Sequence, residues 1–516
     1  MTGEPITYTQ RIADLALAAP DEVSLVVART DGSESAFTRS EVYVESLRAA
    51  ALLEDLGVNY RTLVDVALPN SFDGVVACFG AWWLGACVLP LSPALPNAEL
   101  ELVLESAAES GRKQLLIGDR QTSTVTTISR AAFAERGAFE GAPRSTIVPH
   151  PGRALPSGGS TGRPKVIVSL DPLVMQPDAP PNPMSALFGS RPGQRQVILG
   201  PTYHTGPFGT LIGGLIEGTL VVLMERFDGT RALELIERHR VNRLFSVPAQ
   251  LLRMARAADF DRYDLSSLET VYHSGAVCPP WLKRRWIERV GAEHIFEGFG
   301  STETVGALAI RGDEWLEHPG SVGRPMISDV SIRDAEGHEC SPLEVGEIFM
   351  RFRRPDTRPI EPHVGFEYWG SPPAKSDDEG FVSVGDLGWR DDDDYVYVAD
   401  RRVDMIITGG VNVYPAEVEA VLTEHPDVAD VAVIGIEDSE WGRRVHAIVE
   451  PRTGCDAADL IATLDEHCRA RMAAPKVPKS YDLVTKLPRD DNGKIRRSTL
   501  VAATSSVSSD DGSRPL

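Results

Sequence analysis

TLVVLMERFDGTRALELIERHRVNRLFSV, residues Thr219 to Val247, sets the architecture of this chain. Two β-rich runs, Thr219–Met224 and Arg243–Val247, flank a helical pattern over Phe227–His239. Strand, helix and strand in that order predict an α/β arrangement with largely parallel strands, because a crossover helix returns the chain to the same end of the sheet. The alternation extends outward. Val64–Leu68, Gln114–Ile117 and Gln196–Leu199 read as further strands, and Trp281–Val290 as a helix. No internal repeat is visible. The expected fold is a large N-terminal α/β domain of mixed and parallel sheets with flanking helices, followed by a small α+β C-terminal domain.

The boundary is expected near Asp400–Arg402. Before it, the acidic turn Asp391–Asp394 joins two strand-like segments. After it come a helix at Ala416–Thr423, strands at Val428–Ile436 and Arg444–Glu450, and a helix at Asp456–Met472. These make a unit of small-domain size. The domains are placed at 1–400 and 401–501. The remaining residues, 502–516, are Ser- and Asp-rich and read as a disordered tail.

At 516 residues the chain exceeds what one core supports. Apolar residues make up 42% and charged residues 24%, as in an ordinary globular enzyme. A formal net charge of −22 argues against a nucleic-acid partner, which demands clustered Lys and Arg. The six cysteines (Cys78, Cys87, Cys278, Cys340, Cys455 and Cys468) are scattered without metal-ligand spacing, which fits a reducing, cytoplasmic location. The N-terminus lacks an apolar signal-like region. Val75–Leu91 is uncharged, yet Gly80, Gly85 and Pro90 interrupt it. A buried helix running into a strand is expected there, not a membrane span.

The strongest chemical signal is SGGSTGRPK, Ser157 to Lys165. Glycines with interleaved hydroxyl residues let backbone N–H groups converge on phosphate oxygens, and Lys165 adds a point charge. The loop is not a Walker A motif, because GK followed by Ser or Thr is missing. Alone, such a loop is more often just a flexible connection. Here, however, it resembles the phosphate-binding signature of the adenylate-forming superfamily: acyl- and aryl-CoA ligases, luciferases and peptide-synthetase adenylation domains. The family's other motifs follow in its order. Tyr203-His204-Thr205-Gly206-Pro207-Phe208 resembles the acid-pocket motif, Phe299-Gly300-Ser301-Thr302-Glu303 the YGxTE motif, and Val384 to Gly388 the TGDxG motif. Asp400 to Glu419 resembles the hinge and thiol-channel segment, and Pro488 to Leu500 the C-terminal lysine motif.

The resemblance implies an ATP- and Mg2+-dependent enzyme that activates a carboxylic acid as its acyl-AMP and then forms a thioester with coenzyme A. Joining a carboxylate to a phosphate brings two anions together, so positioning and positive charge do most of the work. By resemblance, Ser157, Gly158, Gly159, Ser160, Thr161, Gly162 and Lys165 cradle the β,γ-phosphates. Thr302 contacts the α-phosphate, and Glu303 offers a carboxylate oxygen to Mg2+. Gly300 and Ser301 complete that loop. Phe299 stacks on adenine where the family usually has Tyr, next to Ser274, Gly275 and Ala276. Asp386 accepts from the ribose hydroxyls, and Arg401 lies near ribose and phosphate. Lys494 bridges the carboxylate and the α-phosphate, and Gly409-Gly410 line the thiol channel. The acid pocket is outlined by Tyr203, His204, Pro207, Phe208 and Gly298. His204 is read as a gating or carboxylate-contacting residue, with a core-facing histidine as the competing reading.

Two positions depart from the pattern. Val403 stands where the hinge is commonly Asp or Lys, and the first loop reads SGGSTG where SSGTTG is commoner. The second variant resembles ligases for aromatic or bulky acids. The same motifs also serve a stand-alone enzyme that loads a carrier protein, and the stiff Val403 leaves open activation of an unusual acid such as nitrite for diazotisation. A non-enzymatic acid-binding protein is the third reading, opposed by the retention of Glu303, Asp386, Arg401 and Lys494. A homodimer is the default assembly.

Overall fold

The computed structural model describes residues 4–137, 147–157, 164–176, 189–353, 365–401, 404–438, 441–455, 457–490 and 493–507. Two large sheets dominate. In the first, strands Thr126–Ile128, Lys113–Ile117, Thr62–Val66, Cys87–Pro90 and Arg153–Ser157 run parallel, and Lys165–Ser169 and Phe366–Trp369 close the edge antiparallel. In the second, six parallel strands follow the order Ile295–Gly300, Thr270–His273, Arg243–Ser246, Arg195–Ile198, Leu220–Met224, Val23–Ala28. Antiparallel Ala307–Arg311 and Glu34–Thr38 cap its ends. The strand–helix–strand reading of Thr219–Val247 therefore holds, with helix Gly229–His239 between parallel strands of one sheet.

The two sheets share a core built on helices Arg39–Asp55, Phe72–Trp83 and Thr205–Glu217. The uncharged run from Val75 belongs here. Ser71 caps the helix by accepting from the Gly74 N–H, every residue from Val75 to Trp83 is buried, and Cys87–Pro90 follows as a strand. Gly80 is small for a reason: a Cβ there would lie 2.7 Å from the Cβ of Ala49, so it sets how closely the two helices approach. Among the described residues no helix is long and apolar enough to cross a membrane. One polar side chain breaks the apolar logic. Asp65 is fully buried in the central strand Thr62–Val66, and neither of its carboxylate oxygens has a hydrogen-bond partner among the described residues.

A third, antiparallel sheet contains Ser328–Arg333, Gly346–Phe352, Asp386–Arg390 and Val396–Arg401. The fourth sheet belongs to the C-terminal unit. A long hairpin, Val428–Asp438 with Gly442–Pro451, is flanked by Ile406–Thr408, Val411–Val413 and the parallel strand Ser480–Leu483. Helices Pro415–Leu422 and Ala457–Arg469 cover it. The last strand of the third sheet ends on Arg401. The expected tail is corrected in part. Helix Arg497–Val507 runs through residues 502–507, because Leu500 is buried and, with Val501, packs against Ile434 and Ile436. Residues 508–516 lie outside the described residues.

Candidate active site

The glycine-rich stretch begins and ends on two antiparallel strands. Ser157 and Lys165 sit directly opposite each other at its base. Gly158, Gly159, Ser160, Thr161 and Gly162 lie outside the described residues. The Lys165 ammonium donates to Glu303 Oε1 at 3.0 Å and sits 3.8 Å from the ring centroid of Tyr368. The Tyr368 hydroxyl donates to the same Glu303 oxygen at 2.6 Å. Glu303 stands on a hairpin turn, between Ile295–Gly300 and Ala307–Arg311, where Thr304 takes a left-handed conformation with φ 54°. Beside it the Thr205 hydroxyl donates to Thr302 Oγ1 at 2.9 Å. Sequence positions separated by 138 and 65 residues thus meet on one carboxylate.

Burial alone would push the Glu303 carboxyl up. The Tyr368 hydroxyl and the Lys165 ammonium outweigh it, and the carboxyl titrates below its ordinary range. The group is therefore ionised at neutral pH. Close by, the buried Ser301 hydroxyl has no hydrogen-bond partner among the described residues. These oxygen donors suit a hard cation such as Mg2+. Among the described residues no group of three or more His, Cys, Asp or Glu gathers to hold a metal. The donor set is thus one carboxylate with hydroxyls, which matches Mg2+ held partly by substrate phosphates.

On the acid side, His204 occupies the N-cap position of helix Thr205–Glu217 and its ring lies 4.7 Å from that of Tyr203. The helix then turns two different faces to the protein. Gly206 faces Phe245, whose ring would lie 2.3 Å from an added Cβ. Phe208, two residues on, packs edge-on to Trp82 in the inter-sheet core. With Tyr203 it lines a narrow apolar cleft together with Leu68, Cys78, Leu91 and Leu223. Gly298 instead lies under Tyr272, whose hydroxyl would be 2.2 Å from a Cβ there. The Phe245 and Tyr272 rings are 5.4 Å apart. The structure therefore sets Phe208 and Gly298 on separate walls, and Pro207 is buried in the helix. Phe299 continues the Gly298 strand opposite Leu308, and Gly300 pairs with Ala307. Ser274, Gly275 and Ala276 follow strand Thr270–His273, with Gly275 left-handed at φ 88°.

Asp386 and Arg401 are direct partners across two antiparallel strands, which explains how residues of two separate motifs come together. Gly409 and Gly410 form the two-residue turn between Ile406–Thr408 and Val411–Val413, both left-handed at φ 53° and 81°, a geometry that favours glycine at both places. Their turn packs on Trp441 within the C-terminal unit. Val403 lies outside the described residues.

Lys494 is exposed. Its N–H donates to Asp490 Oδ1 at 2.8 Å. Arg489 donates to the Gly493 carbonyl at 2.8 Å while its fork holds both Asp430 oxygens, at 2.5 and 2.8 Å. Gly493, left-handed at φ 76°, presses on the N-terminal unit: a Cβ there would lie 2.6 Å from the Cβ of Ala249 and 4.0 Å from Val247 Cγ2. Val247 in turn lies beneath Gly275, 3.6 Å from its would-be Cβ. Val247 therefore lies between Gly493 of the lysine motif and Gly275 of the Ser274–Ala276 segment. Arg256 donates to the carbonyls of Thr423 and Ala429, Trp281 Nε1 donates to Thr423 Oγ1 at 3.4 Å, and Arg496 pairs with Glu99 at 3.0 Å. These contacts hold the two units in this orientation.

Tyr368, Phe245, Tyr272, Val247 and Arg489 were not singled out from the sequence as parts of the site. Only Arg489, inside the lysine motif, carried a local signal. The model for the AMP-binding enzyme family matches residues 14–353, and that for the AMP-binding enzyme C-terminal domain matches residues 417–494. The chain is 32% identical over 477 residues to the feruloyl-CoA synthase of Amycolatopsis sp, covering 89% of this chain and 92% of that one. It is 30% identical over 483 residues to the 2-succinylbenzoate–CoA ligase of Bacillus licheniformis, covering 89% and 93%. The solved o-succinylbenzoate CoA synthetase of Bacillus subtilis, in complex with its acyl-adenylate intermediate, superposes with TM-score 0.77 at 26% identity, over 95% and 97% of the two chains. An anthranilate CoA ligase in complex with anthranoyl-AMP gives TM-score 0.80 over 98% and 99%, a likeness of fold alone at 23% identity.

Proposed function

The chain belongs to the AMP-binding enzymes, and from that premise we propose that it is an AMP-forming acid–CoA ligase. A carboxylate displaces pyrophosphate from the α-phosphorus of ATP to give acyl-AMP. The thiol of coenzyme A then attacks the acyl carbon and AMP leaves. Mg2+, bound by Glu303 and phosphate oxygens, would neutralise phosphate charge. Lys165 and Thr302 meet the phosphates, Asp386 and Arg401 the ribose side, and Phe299 with Ser274–Ala276 the adenine. Lys494 bridges the two reacting anions. The observation that carries the reading is the seat of the Gly493–Lys494 turn on Val247 and Ala249, next to Gly275. This orientation serves the first half-reaction. Rotation of the C-terminal unit then brings Gly409-Gly410 to the thiol path.

The acid is proposed to be aromatic or bulky, which the Phe245 and Tyr272 rings beside Gly206 and Gly298 support. Coenzyme A is the acceptor, and the enzyme is taken to act in the cytoplasm as a homodimer. The test is a panel of aryl, branched and straight-chain acids assayed with and without coenzyme A, following AMP, pyrophosphate and thioester by mass spectrometry. One acid class should give AMP and thioester together, with both lost in Lys494→Ala. Pyrophosphate release without thioester would instead point to a carrier protein or another acceptor.

A further inference from the structure

Tyr368 lies on the edge strand Phe366–Trp369, outside the motifs that the family resemblance supplies, yet it touches two of their residues at once. Its position follows from register: Tyr368 pairs with Ile167, two places along from Lys165 on the neighbouring strand. That brings the Lys165 ammonium over its ring and its hydroxyl onto Glu303. Lys165 and Tyr368 both bond to Oε1 of the carboxylate. We propose that Tyr368 is the positioning residue of the nucleotide–metal site, holding Glu303 in its metal-facing orientation when Lys165 turns to the phosphates.

The two donors differ in what a triphosphate does to them. An ammonium is drawn toward phosphate oxygens by its charge, whereas a neutral phenol has no charge to be drawn by. The Tyr368 hydroxyl also lies closer to Oε1, at 2.6 Å against 3.0 Å for the Lys165 ammonium. When Lys165 is shared with phosphate, the Tyr368 hydroxyl is the contact that remains on Oε1. The ring meanwhile gives the ammonium a second resting place at cation–π distance.

This proposal rests on Glu303 as the metal-binding carboxylate, so the test includes Glu303→Gln. The full-length chain is titrated calorimetrically with Mg2+ in the presence of an α,β-methylene analogue of ATP, and separately with AMP alone. Tyr368→Phe, which keeps the ring, should raise the Mg2+ concentration at half-saturation about tenfold, the loss expected for one hydrogen bond to a charged group. Its AMP affinity should stay within about twofold of the parent. Tyr395→Phe removes a similar bond, hydroxyl to Glu314 at 2.5 Å, away from this cluster, and should change neither value. If Tyr368→Phe leaves the Mg2+ response unchanged while Glu303→Gln abolishes it, Tyr368 has no positioning role. If Tyr368→Phe weakens AMP as much as Mg2+, its role is merely structural and the proposal fails. If Glu303→Gln also leaves the Mg2+ response unchanged, the metal role of Glu303 falls and this proposal falls with it.

Discussion

Gly493→Ala should impair the first half-reaction and spare the second. The substitution has two costs. Alanine at φ 76° carries the left-handed penalty, about 1 kcal/mol, in every orientation of the C-terminal unit. The new methyl also meets Ala249 at 2.6 Å, well inside contact distance, and this cost exists only while the lysine turn is seated. Overpacking of that kind costs about 1–3 kcal/mol, which corresponds to a loss of roughly 5- to 150-fold in adenylation. Acid-dependent ATP–pyrophosphate exchange reads that step. Thioester formation from chemically prepared acyl-AMP reads the other, and should stay within about threefold of the parent. Ala249→Gly removes the opposing methyl, so the double variant should recover most of the adenylation loss while the backbone strain persists. Equal loss in both half-reactions, or no recovery with Ala249→Gly, would refute the assignment of this contact to the adenylating orientation.

Other perturbations follow from the same geometry. Arg256→Met removes the donors to the Thr423 and Ala429 carbonyls and should slow exchange about tenfold while leaving thioester formation from acyl-AMP intact, as stopped-flow of each half-reaction would report. Asp65→Val should raise the unfolding free energy by about 1–3 kcal/mol in denaturant titration, since it removes a buried carboxyl with no partner among the described residues. Burial raises the Asp65 pKa, so its contribution is most favourable below the unfolded value near about 4 and is lost as pH rises through the folded value. The stability difference between parent and variant should therefore shrink in acid. Burial also raises the Cys78 and Cys87 thiols to about 12, so thiol reagents at neutral pH should label neither in the native protein.

What was legible in the sequence divides by distance along the chain. Strand–helix alternation gave the parallel sheets, because side-chain period and turn residues are local properties. The motifs themselves were legible for a related reason: Ser157 to Lys165 and Phe299 to Glu303 are each runs of consecutive letters. Tyr368 was not legible. Its role comes from pairing opposite Ile167, and no local pattern announces an edge-strand register. Phe245 and Tyr272 were read only as strand residues, because their relation to Gly206 and Gly298 arises where helix and sheet pack. The helix through residue 507 was hidden too. Its composition is polar, and what anchors it is Leu500 and Val501 lodged against the C-terminal hairpin.

The most direct measurement uses carboxyl-18O-labelled acids with ATP, Mg2+ and coenzyme A, followed by mass spectrometry of both products. Attack through one carboxylate oxygen and later cleavage of the acyl C–O bond predict AMP carrying one 18O, with one retained in the thioester. Unlabelled AMP, or ADP formed alongside labelled inorganic phosphate, would contradict an acyl-adenylate route.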